Sequence, residues 1–411
     1  MIKAGALYLS IITAFLIAVI CASLIMIAAH FRGNYLKDVR MCRLYRNMDS
    51  AIVLALADHE NVKEGKRYID LFGDEVDSVL FEKEHWGVFD LSSIHCFQHK
   101  DTLSRSFLFG LDKNDDAVAA YLSDEDRPVS VSGNTRIIGN VEVPKSGIRS
   151  AYSDGKPYTG DKIVYGAIRN SKRTLPGLDK KWLEQIENQL HVEPKLYPEL
   201  TSENQHISFF LPVKKYSLQE VDLRPDSLAG HIILYSDTLV HIHRNTKLDN
   251  VVIFAKSIII ENGFIGNAQL FARDSIVVGN DVQFTYPSVL GVVAGETAIQ
   301  SKIQLGENVQ FDGIIFTHEP KRSALQTMIV LGQRTVVKGE VYATGLVKLD
   351  KHINIFGKVT CNRFIMQTSS TMYENFLIDV TINRKARSRA YLSSGIFTGN
   401  ELNHKVLRWL D

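Results

Sequence analysis

IQLGENVQFDGII (residues 303–315), IVLGQRTVVKGEV (329–341) and VKLDKHINIFGKV (347–359) are one pattern written three times. Aligned at Ile303, Ile329 and Val347, all three place apolar residues at offsets +2, +8 and +12 and a glycine at +10, which is Gly313, Gly339 and Gly357. Two earlier copies start at Ile258 and at Ile276, the latter with Val278, Val282 and Phe284 in frame. Successive starts are 18, 27, 26 and 18 residues apart, so the unit is 18 with extra loops of 9 and 8. Eighteen is three sixes, and short alternating strands every six residues, separated by turn residues, are what a three-sided parallel β-solenoid requires. One unit before Ile258, the set Val240, Ile242, Thr246, Leu248 and Val252 keeps the frame, with Asn250 at the glycine place. Asparagine tolerates a left-handed backbone better than most residues, so the exchange is intelligible. An antiparallel sandwich of regularly spaced strands is the alternative topology.

Outside residues 240–359 the chain has to be read piece by piece. Its 411 residues exceed one average domain, and 45% hydrophobic with 23% charged residues is the profile of a folded chain. Lys plus Arg number 47 against 46 Asp plus Glu, so no basic field exists to hold nucleic acid by counterion release. Of the cysteines, Cys21 lies in an apolar run, while Cys42, Cys96 and Cys361 are far apart without metal-ligand spacing; one disulfide among these three is open, a disulfide framework is not.

Residues 4–29 carry no charged side chain, and a helix of that length covers the ~30 Å hydrocarbon core of a bilayer. The run is longer than the apolar core of a secretory signal, and Ile27-Ala28-Ala29 is a poor cleavage site, so the reading is a single-pass transmembrane anchor at residues 1–30. Arg32, Lys37, Arg40, Arg43 and Arg46 follow the helix and by the positive-inside rule would hold the large domain in the cytoplasm. The short-tailed start, typical of a signal anchor, argues the other way. The expectation is a bacterial inner-membrane anchor with the soluble part periplasmic or extracellular. In residues 31–57, Met41, Leu44, Tyr45, Met48, Ala51, Ile52 and Ala55 recur at spacings of three and four, which is an amphipathic helix continuing the anchor, with Gly33-Asn34 as the place for a kink.

Lys3-Ala4-Gly5 followed by Ala6-Leu7-Tyr8-Leu9-Ser10, a long apolar run and an amphipathic helix resembles the amino terminus of type IV minor pilins and type II secretion pseudopilins. The resemblance covers about the first 57 residues. It implies peptidase cleavage between Gly5 and Ala6; most members carry glutamate at the fifth mature position, where this chain has Ser10. Major pilins follow this helix with a small antiparallel sheet, which the repeat does not match.

Residues 58–128 read as a small α+β module, with strands at 86–91 and 107–109. Asp112, Asn114 and Asp116 imitate the start of a calcium loop, but Ala117 stands where glycine is needed and Ser123 where a bidentate glutamate is needed, so a solvated turn is expected. Val129, Val131, Thr135, Ile137, Gly139 and Val141 reproduce the repeat frame, so residues 129–228 are read as a first solenoid coil followed by an inserted region. The insertion holds a helix at 178–190 and is placed to cap one end of the main solenoid, residues 229–375. In the C-terminal cap, residues 376–411, a strand is expected at 376–382 and a short helix at 402–410. The basic cluster Arg384, Lys385, Arg387 and Arg389 between them reads as a solvated face.

Chemistry is sparse. His241 and His243 are spaced for one face of a strand and alternate with inward Val240 and Ile242, so both point outward; no Cys, Asp or Glu stands nearby at ligand spacing, and no metal site is expected. His318-Glu319, with Lys321 and Arg322, falls in the eight-residue loop and reads as a partner-facing surface rather than an acid/base pair. The six-residue period is shared with hexapeptide acyltransferases, which act through a histidine at a coil junction, but nothing selects one histidine here. The glycines form no phosphate loop, since G-x-x-x-x-G-K-[ST] is absent from the array. The array also resembles bactofilins, scaffold proteins that are almost wholly β-solenoid and polymerise end to end; the resemblance rests on the period over residues 240–359 and not on a signature.

The fold class expected is therefore mainly β: a transmembrane and juxtamembrane helix, a small α+β segment, and a three-sided parallel β-solenoid of about 18-residue coils with an inserted capping region. The function expected is a non-enzymatic, minor pilin-like or pseudopilin-like component of a bacterial envelope filament or secretion assembly. A membrane-tethered scaffold or adhesin is the alternative, and a solenoid enzyme on saccharide or acyl substrates the third. Expected partners are the membrane, proteins bound through the helix or the solenoid surface, and further copies of the chain in a homo-oligomer; nucleic acid, cofactors and metals are not expected.

Overall fold

The computed structural model describes residues 3–57, 65–73, 77–113, 117–201, 203–295, 299–367, 371–398 and 403–410, and the central residues of the calcium-like loop, 114–116, lie outside them. The protein is mainly β with a long amino-terminal helix. It divides into two compact units, Met1–Lys83 with Ser93–Arg105, and Glu84–Ser92 with Ser106–Asp411.

In the first unit, helix α1 (Lys3–Ala57) runs for 55 residues, about 80 Å at helical rise. Gly33 and Asn34 do not interrupt it. Residues 5–39 are exposed throughout, and burial begins along the repeat of three and four, at Leu44, Met48 and Ala51, with Asn47 buried beside them. Tyr45, one position round the helix from Leu44, is half exposed and lies off that stripe. Two ion pairs hold the buried half: Arg40 to Asp101 at 2.7 Å and Arg43 to the buried Asp77 at 2.6 Å. A strand at Gly65–Ile69 pairs antiparallel with Ser78–Trp86, Gly65 opposite Lys83 and Ile69 opposite Val79.

The second unit is built on parallel strands, and their register is the repeat. Val240 lies beside Ile258, Ile258 beside Ile276, Ile276 beside Ile303, Ile303 beside Ile329, and Ile329 beside Val347. Gly313, Gly339 and Gly357 stack in one column. Each copy thus hydrogen-bonds to the one before it, and the in-frame apolar residues, among them Leu305, Val309, Phe311 and Ile315, are buried in one continuous core. Phe264, Phe284 and Phe311 form a ladder inside it, with centroids 5.4 and 5.5 Å apart. Asn250 has φ +58°, a left-handed conformation that asparagine tolerates.

The copy at Val129 is not where its sequence position suggests. Val129–Ser132 and Arg136–Ile138 stack on Phe376–Ile378 and Val380–Asn383, with Leu377 beside Val131 and Ile382 beside Ile137. Val118–Leu122 pairs with Ile353–Gln367, Ala120 beside Val359. The early copy therefore extends the array beyond its last copy rather than preceding its first, and Ile148–Ser150, Val164–Tyr165 and Ile168–Asn170 add a further layer on it. The opposite end is made by Gln205–Ile207 and Lys214–Ser217. Parallel strands with buried inner faces leave an edge of unpaired backbone groups, and any segment with the right alternation satisfies it, whatever its place in the chain.

The inserted helix, α2 (Lys180–Leu190), is capped by Asp179, whose side chain accepts from the backbone N–H of Lys181 and Trp182. It covers a flank of the array instead of closing an end: Trp182, Leu183, Ile186 and Leu190 join a second apolar cluster with Phe254, Phe271 and Phe316 from the outer side of the parallel sheet. Two further expectations are corrected. Residues 86–91 are not one strand, because the chain turns at Gly87 (φ +63°) between Ser78–Trp86 and Phe89–Gln98. A Cβ at Gly87 would stand 2.0 Å from the Gln269 side chain, whose oxygen accepts from the Val88 N–H at 2.9 Å. The short helix expected at 402–410 is not found over the described residues 403–410; His404–Leu410 is a strand antiparallel to Asp101–Leu111, with Trp409 edge-on to Phe107 at 5.3 Å. A sheet edge offered by Ser106 to Leu111 satisfies more backbone groups than an isolated turn of helix would.

Candidate functional site

The amino-terminal half of α1 is the largest apolar surface the described residues present. Gly5 and Ala6 lie within the helix, exposed, and the following Leu7, Ile11, Phe15, Leu16 and Ile20 all face outward. The few polar side chains in this stretch turn back on the helix: the Ser10 hydroxyl donates to the Leu7 carbonyl at 2.8 Å, Thr13 to Ser10 at 2.9 Å and Ser23 to Val19 at 2.8 Å. Serine and threonine hydroxyls satisfied within the helix can enter hydrocarbon without being left unpaired. By length and composition the helix is sufficient to cross a membrane, consistent with a membrane anchor or a signal sequence.

The loop residues singled out from sequence separate into two kinds. His318 ends the strand Gln310–His318 and is partly enclosed, and Glu319 is buried, its backbone N–H donating to Thr344 Oγ1 at 2.9 Å. Burial holds the His318 imidazole below its ordinary pKa. Lys321 and Arg322 are exposed, and Arg322 pairs with Glu125 at 2.6 Å, so this part of the loop is tied to the chain leading into the Val129 copy. His318 and Glu319 are not brought against any other histidine or cysteine among the described residues.

The basic cluster after residue 383 is only half a solvated face. Lys385 and Arg389 are exposed, but Arg384 and Arg387 are buried and both donate to the Lys113 carbonyl, at 2.7 and 3.2 Å. Arg387 also reaches Glu340 at 3.5 Å and lies 4.6 Å from the centre of the Tyr391 ring. Glu340 in turn accepts from Ser393 at 2.5 Å and from Tyr391 at 3.3 Å. A cavity of about 180 Å³ beside this network is lined by Lys113, Glu340, Tyr342, Lys358 and Phe397. Its polar groups are committed internally, Tyr342 to the Pro176 carbonyl at 2.9 Å and Lys113 to that of Phe397 at 2.7 Å.

His241 and His243 do share one outer face, with Val240 and Ile242 buried between and behind them. What the local sequence lacks, the neighbouring layers supply. Asp222 Oδ1 is 2.9 Å from His241 Nδ1 and 3.2 Å from His243 Nε2, while Glu261 Oε1 is 3.1 Å from His243 Nδ1. Asp222 is held below the usual carboxylate range chiefly by the hydrogen bond from His241, and Glu261 chiefly by the backbone N–H of Arg244. Neither acid was marked by local spacing. The signal was the repeat itself, since Glu261 follows His243 by one period of 18.

No protein-family model matches the chain, and no curated protein matches it. Two solved structures are similar to it at low identity. One is the Shewanella frigidimarina ice-binding protein_1 DUF3494 domain, 14% identical, TM-score 0.22, covering 67% of this chain and 96% of that one. The other is the competence-associated pilin ComZ from Thermus thermophilus, 11% identical, TM-score 0.25, covering 85% of this chain and 87% of that one. No residue role is carried over from either.

Proposed function

We propose that the chain is a non-enzymatic, membrane-anchored structural component of a bacterial envelope filament or secretion assembly, minor pilin-like or pseudopilin-like, whose folded part is a three-sided β-solenoid displayed outside the inner membrane. One observation carries the reading: a single unbroken helix is apolar over residues 5–29, uncovered as far as residue 39 and docked only beyond it. A helix that is hydrophobic all round in its uncovered half needs lipid or other helices around it. The in-register return of the chain every 18 residues supports the solenoid. In this reading α1 packs among the membrane helices of partner subunits and the array is what those subunits present.

The test is the amino terminus of the protein taken from native membranes. Cleavage between Gly5 and Ala6 leaves Ala6 as the first residue; an intact Met1 would count decisively against a pilin-like subunit. A second reading, a tethered scaffold, is favoured by the outer side of the strands carrying Ser257, Ile259, Ser275 and Val277, which is only partly covered. Deleting residues 1–30 separates the two, because a scaffold still self-associates through its sheets whereas a pilin-like subunit loses its partners.

A further inference from the structure

We infer that Asp222, His241 and His243 form a binding site for a first-row divalent transition-metal ion of the Zn²⁺ class, with Glu261 orienting one of the ligands. One ligand atom from each of Asp222, His241 and His243 lies within 4.8 Å of the other two. Zn²⁺ with bonds of about 2.0–2.1 Å to such atoms needs them about 3.3 Å apart in a tetrahedral arrangement. The Asp222 oxygen already stands 2.9 and 3.2 Å from the two nitrogens. Small side-chain rotations at a half-exposed surface suffice to admit the ion.

The donor set is the right kind. Two imidazoles and a carboxylate suit zinc, and three protein ligands leave a position for water. Glu261 gives the set its polarity. Its Oε1 accepts from His243 Nδ1 at 3.1 Å, and its Oε2 is held by the Arg244 N–H at 2.9 Å. A carboxylate accepting from one ring nitrogen places the proton there and leaves Nε2 with its lone pair toward Asp222, the arrangement that metal-ligating histidines use.

The fold explains why these residues meet. His241 N–H donates to the Val221 carbonyl at 2.7 Å and Leu223 N–H to the His241 carbonyl at 3.0 Å, so the segment around Asp222 is laid parallel against the strand Leu239–Ile242. Glu261 N–H donates to the Ile242 carbonyl at 3.0 Å and places Glu261 in the next layer. Three consecutive layers thus contribute one acid, two histidines and one acid. The ion would clip the entry segment of the array to its first full copy. The inference concerns the second unit alone and does not depend on the reading of α1.

The experiment is calorimetric titration of the full chain in detergent with ZnCl₂, alongside Co²⁺ titration read by visible d–d absorption. One equivalent of saturable Zn²⁺ binding is expected, with the intense Co²⁺ bands of a tetrahedral site. His243→Ala and Asp222→Asn should abolish both signals, Glu261→Gln should weaken binding about 10- to 100-fold, and His206→Ala, on another strand, should leave it unchanged. Far-UV circular dichroism identical to that of the unaltered chain shows that each variant has folded. Absence of saturable binding, or binding that survives in His243→Ala or Asp222→Asn, overturns the assignment.

Discussion

Replacing Gly339 by alanine tests the link between the repeat and the stacking most directly. Gly339 has φ +149°, a region that side-chain-bearing residues rarely enter. Its place between Gly313 and Gly357 puts an added Cβ 1.8 Å from the Gly313 carbonyl oxygen, which is backbone and cannot swing aside. Holding a non-glycine residue in such a conformation costs about 1–3 kcal/mol. Forcing extra volume into a closed contact costs about 1–3 kcal/mol more. The sum is centred near 4 kcal/mol, and at a urea slope of about 2–3 kcal/mol per molar the unfolding midpoint should fall by roughly 1.5 M. The assay is urea unfolding of the full chain in detergent, followed by the fluorescence of Trp86 and Trp182, both buried against the array. Asn250→Gly is the control, because Asn250 already sits at φ +58° and glycine relieves rather than adds strain. A midpoint for Gly339→Ala within about 0.3 M of the unaltered chain would refute the claim that the stacked glycine column leaves no room for a side chain.

Arg387→Met should destabilise the chain by about 3–5 kcal/mol, since it leaves the buried Glu340 carboxyl without its cation; the double variant Arg387→Met with Glu340→Leu should recover part of the loss in the same urea assay, and equal midpoints for single and double variants would sink the pairing. Burial holds the His318 imidazole below its ordinary pKa of about 6.5, so the unfolded chain takes up this proton at a higher pH than the folded one. Its contribution is therefore fully present above about 6.5 and is lost as pH falls below it. His318→Gln should flatten the decline in urea midpoint between about pH 7 and pH 5; an unaltered slope would show that His318 titrates freely in the fold.

Much of this molecule is legible in its letters, and for a definite reason. The apolar frame at 258, 276, 303, 329 and 347 is both the spacing of the sequence and the hydrogen-bond register of the strands, because a chain that returns parallel to itself converts period into contact. The helix is equally plain, since a charge-free stretch and a stripe at spacings of three and four are local properties. The candidate metal site was half visible. His241 and His243 lie two apart on one strand, but Asp222 and Glu261 belong to other layers and come near only through stacking. Local spacing finds ligands that share an element, and it overlooks ligands that share a column.

What only the tertiary structure decided is where each detached piece goes. The sequence by itself determined that residues 129–141 have the frame of the array, that 178–190 can be a helix and that 384–389 are basic. It did not determine that the first stacks beyond the last copy, that the second covers a flank, or that Arg384 and Arg387 turn inward to the Lys113 carbonyl. Those outcomes depend on which strand edge, apolar face or carbonyl is left unsatisfied once everything else has folded. A free edge accepts any strand of matching alternation and an unpaired buried carbonyl accepts any donor within reach, so distance along the chain carries no information about either choice.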